Sequence, residues 1–278
     1  MGFKTVLSVI GVDQGDRDIE LAANLCAEAG AHISVFVVAL AAPPPIGEYA
    51  AMVSDPWLQE RQADLKRLSQ RATEVTSILA ATDLSADVAF DYPELASADE
   101  VIGRRARYAD LTLIGPDLLG GETLKSKALE GTLFFSGKPV LIAPEGAHVT
   151  LKPRTVLVAW DSRVEASRAV RESLDLLVAA EDVCLVLVDP EESESGHGAE
   201  PGADAAAYLA RHGVKVTVER LTSAGHSVAE VLRRRAVDMS AELVVMGAYG
   251  HSRLRERIFG GVTRSILADP PLPIFMAR

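Results

Sequence analysis

The residues best suited to chemistry in this chain are glycines. Gly247, Gly250, Gly260 and Gly261, followed by Val262 and Thr263, lie near the C-terminus, with nine residues between Gly250 and Gly260. Gly247 follows the apolar run Leu243–Met246, and Gly260 opens a segment that reads as a helix through Leu267. Glycines at a strand end and a helix start let the backbone turn tightly and approach a ligand closely. The unpaired N–H groups and positive dipole end of a helix N-terminus suit a phosphate. Local charge agrees: from Gly247 to Arg278 there are five arginines (253, 255, 257, 264 and 278) against Glu256 and Asp269. A basic patch on a chain of formal net charge -11 points to a local anion site. His251 adjoins the glycines and is expected at the surface. The chain has no G-x-x-x-x-G-K-[ST] loop, no G-x-G-x-x-G after a strand and no G-x-S-x-G elbow.

The elements that must hold these glycines follow from hydrophobic patterning. Short apolar runs alternate with amphipathic stretches, which predicts an α/β fold with a parallel sheet. Strands are expected at Thr5–Ile10, His32–Val38, Ala86–Phe90, Leu111–Ile114 and Pro139–Ala143. The series then restarts at Thr155–Ala159, Val183–Val188, Val214–Val218, Leu243–Met246 and Leu272–Met276. Helices are expected at Asp16–Ala29, Asp55–Ala80 and Ala166–Ala179. A tandem duplication explains the restart. Glu100-Val101-Ile102 and Arg104-Arg105-Ala106 match Glu230-Val231-Leu232 and Arg234-Arg235-Ala236 at an offset of 130. Leu113-Ile114-Gly115 matches Val245-Met246-Gly247, and Lys138-Pro139-Val140 matches Leu272-Pro273-Ile274. The expected domains are residues 1–146 and 152–278, joined near Pro144–Pro153.

The glycine spacing resembles the G-x2-G-x9-G-(S/T) nucleotide motif of the universal stress protein family, down to the following Val-Thr. The likeness covers the second half strand by strand and the first half loosely. It implies two tandem doubly wound five-stranded parallel sheets of order 3-2-1-4-5, of the nucleotide-binding α-hydrolase-like type. ATP, alone or as its Mg complex, would lie across the carboxyl ends of the first and fourth strands. By the same resemblance Asp161 meets the ribose or adenine region and the backbone of Leu187 reads the adenine edge. Gly247, Gly250, Gly260, Gly261 and Val262 would hold the phosphates, with Thr263 beside them. Two positions depart from the motif. Gly261 replaces its Ser/Thr, removing a hydroxyl contact of about 0.5–1.5 kcal/mol, and Asp161-Ser162-Arg163 replaces Asp-Gly-Ser.

The first half is expected to have lost its site. Gly121 and Gly131-Thr132 satisfy part of the motif, but Leu118 stands where the preceding glycine belongs. Gly131 also lies 8 residues before Pro139, whereas Gly260 lies 13 before Pro273. Aligning the two would shorten the last helix by more than a turn.

Composition bounds the rest. The chain has 278 residues, 48% apolar and only 5% aromatic, the make-up of Val-, Leu- and Ile-rich strands under helices. Its acidity argues against nucleic acid as a partner. Cys26 and Cys184 both sit in apolar-periodic segments and are expected to be buried thiols. The six histidines show no metal-ligand spacing, so no metal site is expected. Asp189–Asp204, with six carboxylates and no Lys or Arg, is expected to be a solvated loop. No stretch of 18 apolar residues occurs and Met1–Val12 is no signal peptide, so a cytoplasmic protein without membrane contact is expected. No general base is evident, and no catalytic residue is assigned. The functional expectation is an ATP-binding regulatory or stress-response protein, with one site in the second half. A ligand-free interaction module and a slow ATPase are the alternatives. Pairing of the two last strands within one chain, giving an intrachain pseudo-dimer with the option of a homodimer, completes the expectation.

Overall fold

The computed structural model describes residues 2–44, 50–191, 200–248 and 261–278, with the backbone alone over 50–54. The glycine-motif residues Gly250 and Gly260, and His251, lie outside the described residues. The chain divides into two compact units, Phe3–Lys138 and Pro139–Arg278, the latter joined by Gly2.

The first unit contains β1 (Thr5–Gly11), α1 (Arg17–Ala29), β2 (His32–Val38), α2 (Ala50–Ala80), β3 (Ala86–Asp91), α3 (Ala98–Ala106), β4 (Leu111–Ile114), α4 (Pro116–Leu119) and α5 (Thr123–Glu130). A π-helical turn over Gly131–Ser136 continues α5. Its strands run parallel in the order β3-β2-β1-β4. Strands β1, β2 and β4 are buried almost throughout, because helices cover both faces, and their sequences are therefore unbroken apolar runs. Helix α1 buries Ile19, Ala22, Leu25 and Cys26 on one face, with Ala29 half-buried. Helix α2 starts at Ala50, earlier than the predicted Asp55, and carries Pro56 inside it.

The second unit contains β5 (Val140–Ile142), β6 (Thr155–Ala159), α6 (Val164–Glu172), α7 (Leu174–Ala179), β7 (Asp182–Val188), α8 (Ala203–Arg211), β8 (Val216–Leu221), α9 (Val228–Asp238), β9 (Leu243–Gly247), α10 (Gly261–Ala268) and β10 (Ile274–Ala277). Strands β8-β7-β6-β9-β10 form a parallel sheet, the order 3-2-1-4-5 counted from β6. Strand β5 adds antiparallel to β10, with Leu141 opposite Phe275. That pairing places β5 in the second unit, so the compact units part after Lys138, whereas from the sequence the first domain is expected to run to residue 146. The predicted single helix over 166–179 is two helices meeting at Ser173. There the buried Ser173 hydroxyl donates back to the carbonyls of Ala169 and Val170, a bond that competes with the helix ladder. Cys26 and Cys184 are free and buried, and burial pushes the Cys26 thiol up to about 12. Among the described residues no helix is long and apolar enough to cross a membrane, and no group of His, Cys, Asp and Glu is placed to hold a metal.

The arginine shared by the two repeats has a structural use. In the second unit the Arg235 guanidinium, on the last turn of α9, grips Glu219 of edge strand β8 through two bonds of 2.6 Å. In the first, Arg105 of α3 bonds Asp87 of edge strand β3 and, at 3.0 Å, the Ser34 hydroxyl. Each arginine ties an edge strand to the helix that follows it. Arg235 holds the Glu219 carboxyl below the usual glutamate range. A depressed pKa adds stability that is present above the unfolded value, about 4.3, and is lost as pH falls through the folded value. Glu219→Gln is therefore expected to lower stability at neutral pH by about 0.5–1 kcal/mol, since the pair is part-exposed and screened. Denaturant unfolding from pH 7 to pH 3 checks this. The gap between wild type and variant closes on the acid side, and a constant gap would contradict the assignment.

Candidate functional site

A cleft of about 290 Å³ opens at the carboxyl ends of β6, β7 and β9, facing the start of α10. Its size, counted on described residues, is at the lower end of ligand pockets. The three strands bring different chemistry to it. Val186 and Val188 of β7, with Val228 and Leu232 on the first turns of α9, make an apolar wall. Trp160, Asp161 and Arg163 follow β6 and occupy the middle. Gly247, at the end of β9, and Gly261, Val262 and Thr263, at the start of α10, form the far side. Because the sheet order here is β7-β6-β9, the cleft is graded from apolar to backbone-polar across the sheet.

The middle is a tight turn. Ser162 takes a left-handed conformation, φ 61°, and the Asp161 carboxylate accepts the Arg163 N–H at 3.1 Å. The Arg163 guanidinium lies 3.7 Å from the same carboxylate. The indole N–H of Trp160 donates to the Ser162 hydroxyl at 3.1 Å. Asp161 remains exposed, with its carboxylate at the mouth of the cleft. Sequence reasoning passed over Arg163 as a cation of this site. The signal was its place two residues after Asp161, where a turn of this kind brings both side chains to one mouth.

The two described glycines of the motif play different parts. A Cβ on Gly247 would meet the Ala166 nitrogen at 2.5 Å and the Glu165 carbonyl carbon at 2.7 Å. This glycine is demanded by the first turn of α6, which packs against the strand end, whatever the cleft holds. Among the described residues a Cβ on Gly261 would meet nothing within 4 Å, and its φ lies outside the left-handed region. Its bare backbone is open to the cleft and would accept a side chain. Val262 is half-buried, and Thr263 is buried and lines the cleft.

Leu187 needs a finer statement. Its side chain is fully buried and points at Gly202, where a Cβ would come within 2.9 Å of Leu187 Cδ1. Alternation along the strand puts the side chains of Val186 and Val188 on the cleft side instead. Any contact from Leu187 to a ligand is thus confined to its backbone. The pleat makes the alternation legible in sequence, but the cleft-bearing face is chosen by the packing of α9.

In the first unit the corresponding strand ends are bridged by the chain's own side chains. In strand register Val6 and Leu111 correspond to Val156 and Leu243, so Gly11 corresponds to Asp161 and Gly115 to Gly247. The Gly11 N–H is taken by Gln14 Oε1 at 2.6 Å, and Gln14 Nε2 donates to the Asp117 carbonyl at 3.1 Å. Beside them Asp18, wholly buried, accepts the Asp117 N–H at 2.8 Å and the Leu118 N–H at 2.9 Å. Burial raises the Asp18 pKa, against the pull of those two amides. Gly131 is a helix-packing residue: a Cβ there would come within 2.5 Å of the Asp99 carbonyl and 3.0 Å of the Gly103 nitrogen.

A doubly wound parallel sheet with a graded cleft at the carboxyl ends of its first, second and fourth strands defines the class as a Rossmann-type α/β domain. Residues 152–278 match the model of the Universal stress protein family, and this half of the chain is a domain of that family. A universal stress protein of Synechocystis sp. is 25% identical over 141 residues, covering 51% of this chain and 47% of that relative. The chain thus aligns with about half the length of that protein. Among solved structures, a universal stress protein from Archaeoglobus fulgidus DSM 4304 superposes with a TM-score of 0.64 at 18% identity, covering 98% of this chain and 96% of its own. A protein of unknown function from Pseudomonas aeruginosa PAO1 superposes at 0.58 and 14% identity, covering 99% and 92%. At these identities the likeness shows the fold, and it extends over both repeats.

Proposed function

We propose that the second unit binds one ATP, alone or as its Mg complex, and that the protein acts as a nucleotide-responsive regulator in a stress response. The observation that carries this reading is the gradient of the cleft. A nucleotide is apolar and planar at its base, hydroxylated in the middle and anionic at its end. The apolar wall of Val186, Val188, Val228 and Leu232 suits the base. Asp161 at the mouth suits ribose hydroxyls as an acceptor, and the backbone at Gly261–Thr263, opening α10, suits phosphate. Arg163 adds a cation beside them. Among the described residues nothing lies within 4 Å of a Cβ on Gly261, which supports the same placement. Gly250 and Gly260 join the phosphate side in this proposal on their sequence spacing, and Leu187 contributes its backbone.

Turnover is a weaker reading. Asp161 is the only carboxylate among the described residues of the cleft, and it is engaged by the Arg163 N–H. Hydrolysis at an appreciable rate needs a base or a group that positions water. A regulator that holds ATP is therefore preferred over an ATPase.

The test uses the whole chain. Protein purified without added nucleotide is denatured, and the released small molecules are identified by mass spectrometry. Nucleotide-free protein is then titrated with ATP by calorimetry. About one ATP per chain is expected, and stripping divalent cations shows whether Mg contributes. Two equivalent sites would refute the assignment to the second unit alone. Absence of binding would leave a ligand-free interaction module as the reading.

A further inference from the structure

The buried carboxylate of Asp18 lies outside the cleft of the second unit, and its position is specific. It sits where the loop after β4 leaves the sheet, the counterpart of the loop that begins at Gly247. Both of its oxygens are spent on main-chain amides of that loop, those of Asp117 and Leu118. Gly115 must be glycine because a Cβ would run into the Asp18 carboxylate. Gln14 spans the same gap from the other side, accepting from Gly11 and donating to Asp117. Arg17 closes it with an ion pair to Asp117 at 2.6 Å. A Cβ on Gly11 would also meet Leu124 Cδ2 at 3.3 Å, so α5 covers the position that Asp161 holds in the other repeat.

We propose that Asp18 and Gln14 are an internal substitute for a ligand, a self-occupying contact that keeps the first unit closed and independent of any bound anion. The two repeats then do different work on one fold. In the second the ends of β6, β7 and β9 border a cleft, and in the first the amides of Asp117 and Leu118 are satisfied from the chain itself. A carboxylate and a phosphate oxygen present the same acceptor chemistry to a pair of amides, which is why a side chain can take the place of a ligand. The proposal is independent of the identity of the ligand in the second unit, because none of its readouts involves nucleotide.

Asp18→Ala in the full chain leaves two buried N–H groups without an acceptor and a cavity of carboxylate size. Its thermal midpoint is expected to fall by roughly 5–10 °C. Sodium formate, a free carboxylate small enough for the cavity, restores most of that loss, whereas sodium chloride at equal ionic strength does not. Wild type does not respond to formate. Asp18→Asn fills the space but offers one acceptor oxygen, so it loses part of the stability and ignores formate. In wild type without ligand the Asp117 and Leu118 amides are expected to exchange hydrogen at least about a hundredfold more slowly than an open peptide. An Asp18→Ala protein as stable as wild type overturns the proposal, as does a loss that formate and chloride treat alike. Should that variant fail to fold, fast exchange of the two wild-type amides, or an Asp18→Asn protein with unchanged stability, overturns it equally.

Discussion

Gly261→Glu is expected to lower ATP affinity by more than tenfold while leaving the unfolding midpoint of the ligand-free protein within a degree or two. A Cβ at 261 meets no neighbour within 4 Å among the described residues, so no packing clash with them is expected. A carboxylate in the first turn of α10 even interacts favourably with the helix dipole, by about 0.3–1 kcal/mol. It would nevertheless face the phosphates of the proposed ligand. Two like charges about 4 Å apart repel by about 4 kcal/mol at an effective dielectric constant of about 20. A net loss of only about 1.4 kcal/mol is already tenfold. Gly261→Ser reverses the sign. It restores a hydroxyl at the helix start without charge, and a neutral hydrogen bond of about 0.5–1.5 kcal/mol tightens binding several-fold. Calorimetric titration of the three proteins checks both directions together. Equal affinities would show that α10 does not face the phosphates.

The second large effect is on folding. Gly247→Val is expected to destabilise the ligand-free protein by about 3 kcal/mol, seen as a fall of roughly 10 °C in the first unfolding transition. The atoms in the way are the Ala166 nitrogen and the Glu165 carbonyl carbon at 2.5 and 2.7 Å, backbone of the first turn of α6. Backbone cannot swing aside as a side chain can, so β9 and α6 must separate. Gly247→Ala is expected to show a smaller loss of the same kind. A Gly247→Ala protein that kept full stability and lost only ligand affinity would make the glycine a ligand contact and refute the packing role. The two glycines of one motif are thus separable, Gly261 by affinity and Gly247 by stability.

What the sequence determined by itself is what depends on near neighbours. Strands β6, β7 and β9 are apolar runs because both faces of a parallel sheet are covered, and a run of five to seven such residues is visible without a partner. The ends of those strands were therefore legible, and with them the positions of Asp161 and Gly247, while the helix expected from Gly260 is described over Gly261–Ala268. The edge strand β8 was shifted, observed at Val216–Leu221 against the predicted Val214–Val218. An edge strand is half-exposed, and Glu219 and Arg220 dilute its apolar signal.

The rest required contacts between residues far apart in the chain. Nothing near Asp18 announces that its carboxylate reaches amides 99 and 100 residues away. Gly115 and Gly247 look like matching turn glycines, and in space one faces a side chain while the other faces a helix backbone. The antiparallel partnership of β5 with β10 could be anticipated from edge-strand logic, but only the tertiary structure shows that it draws β5 into the second compact unit. Local pattern specifies which segments are strands and where they end. Which amides an acid satisfies, and which face of β7 carries the cleft, are decided by the long-range packing of α1 and α9, and no window along the chain contains it.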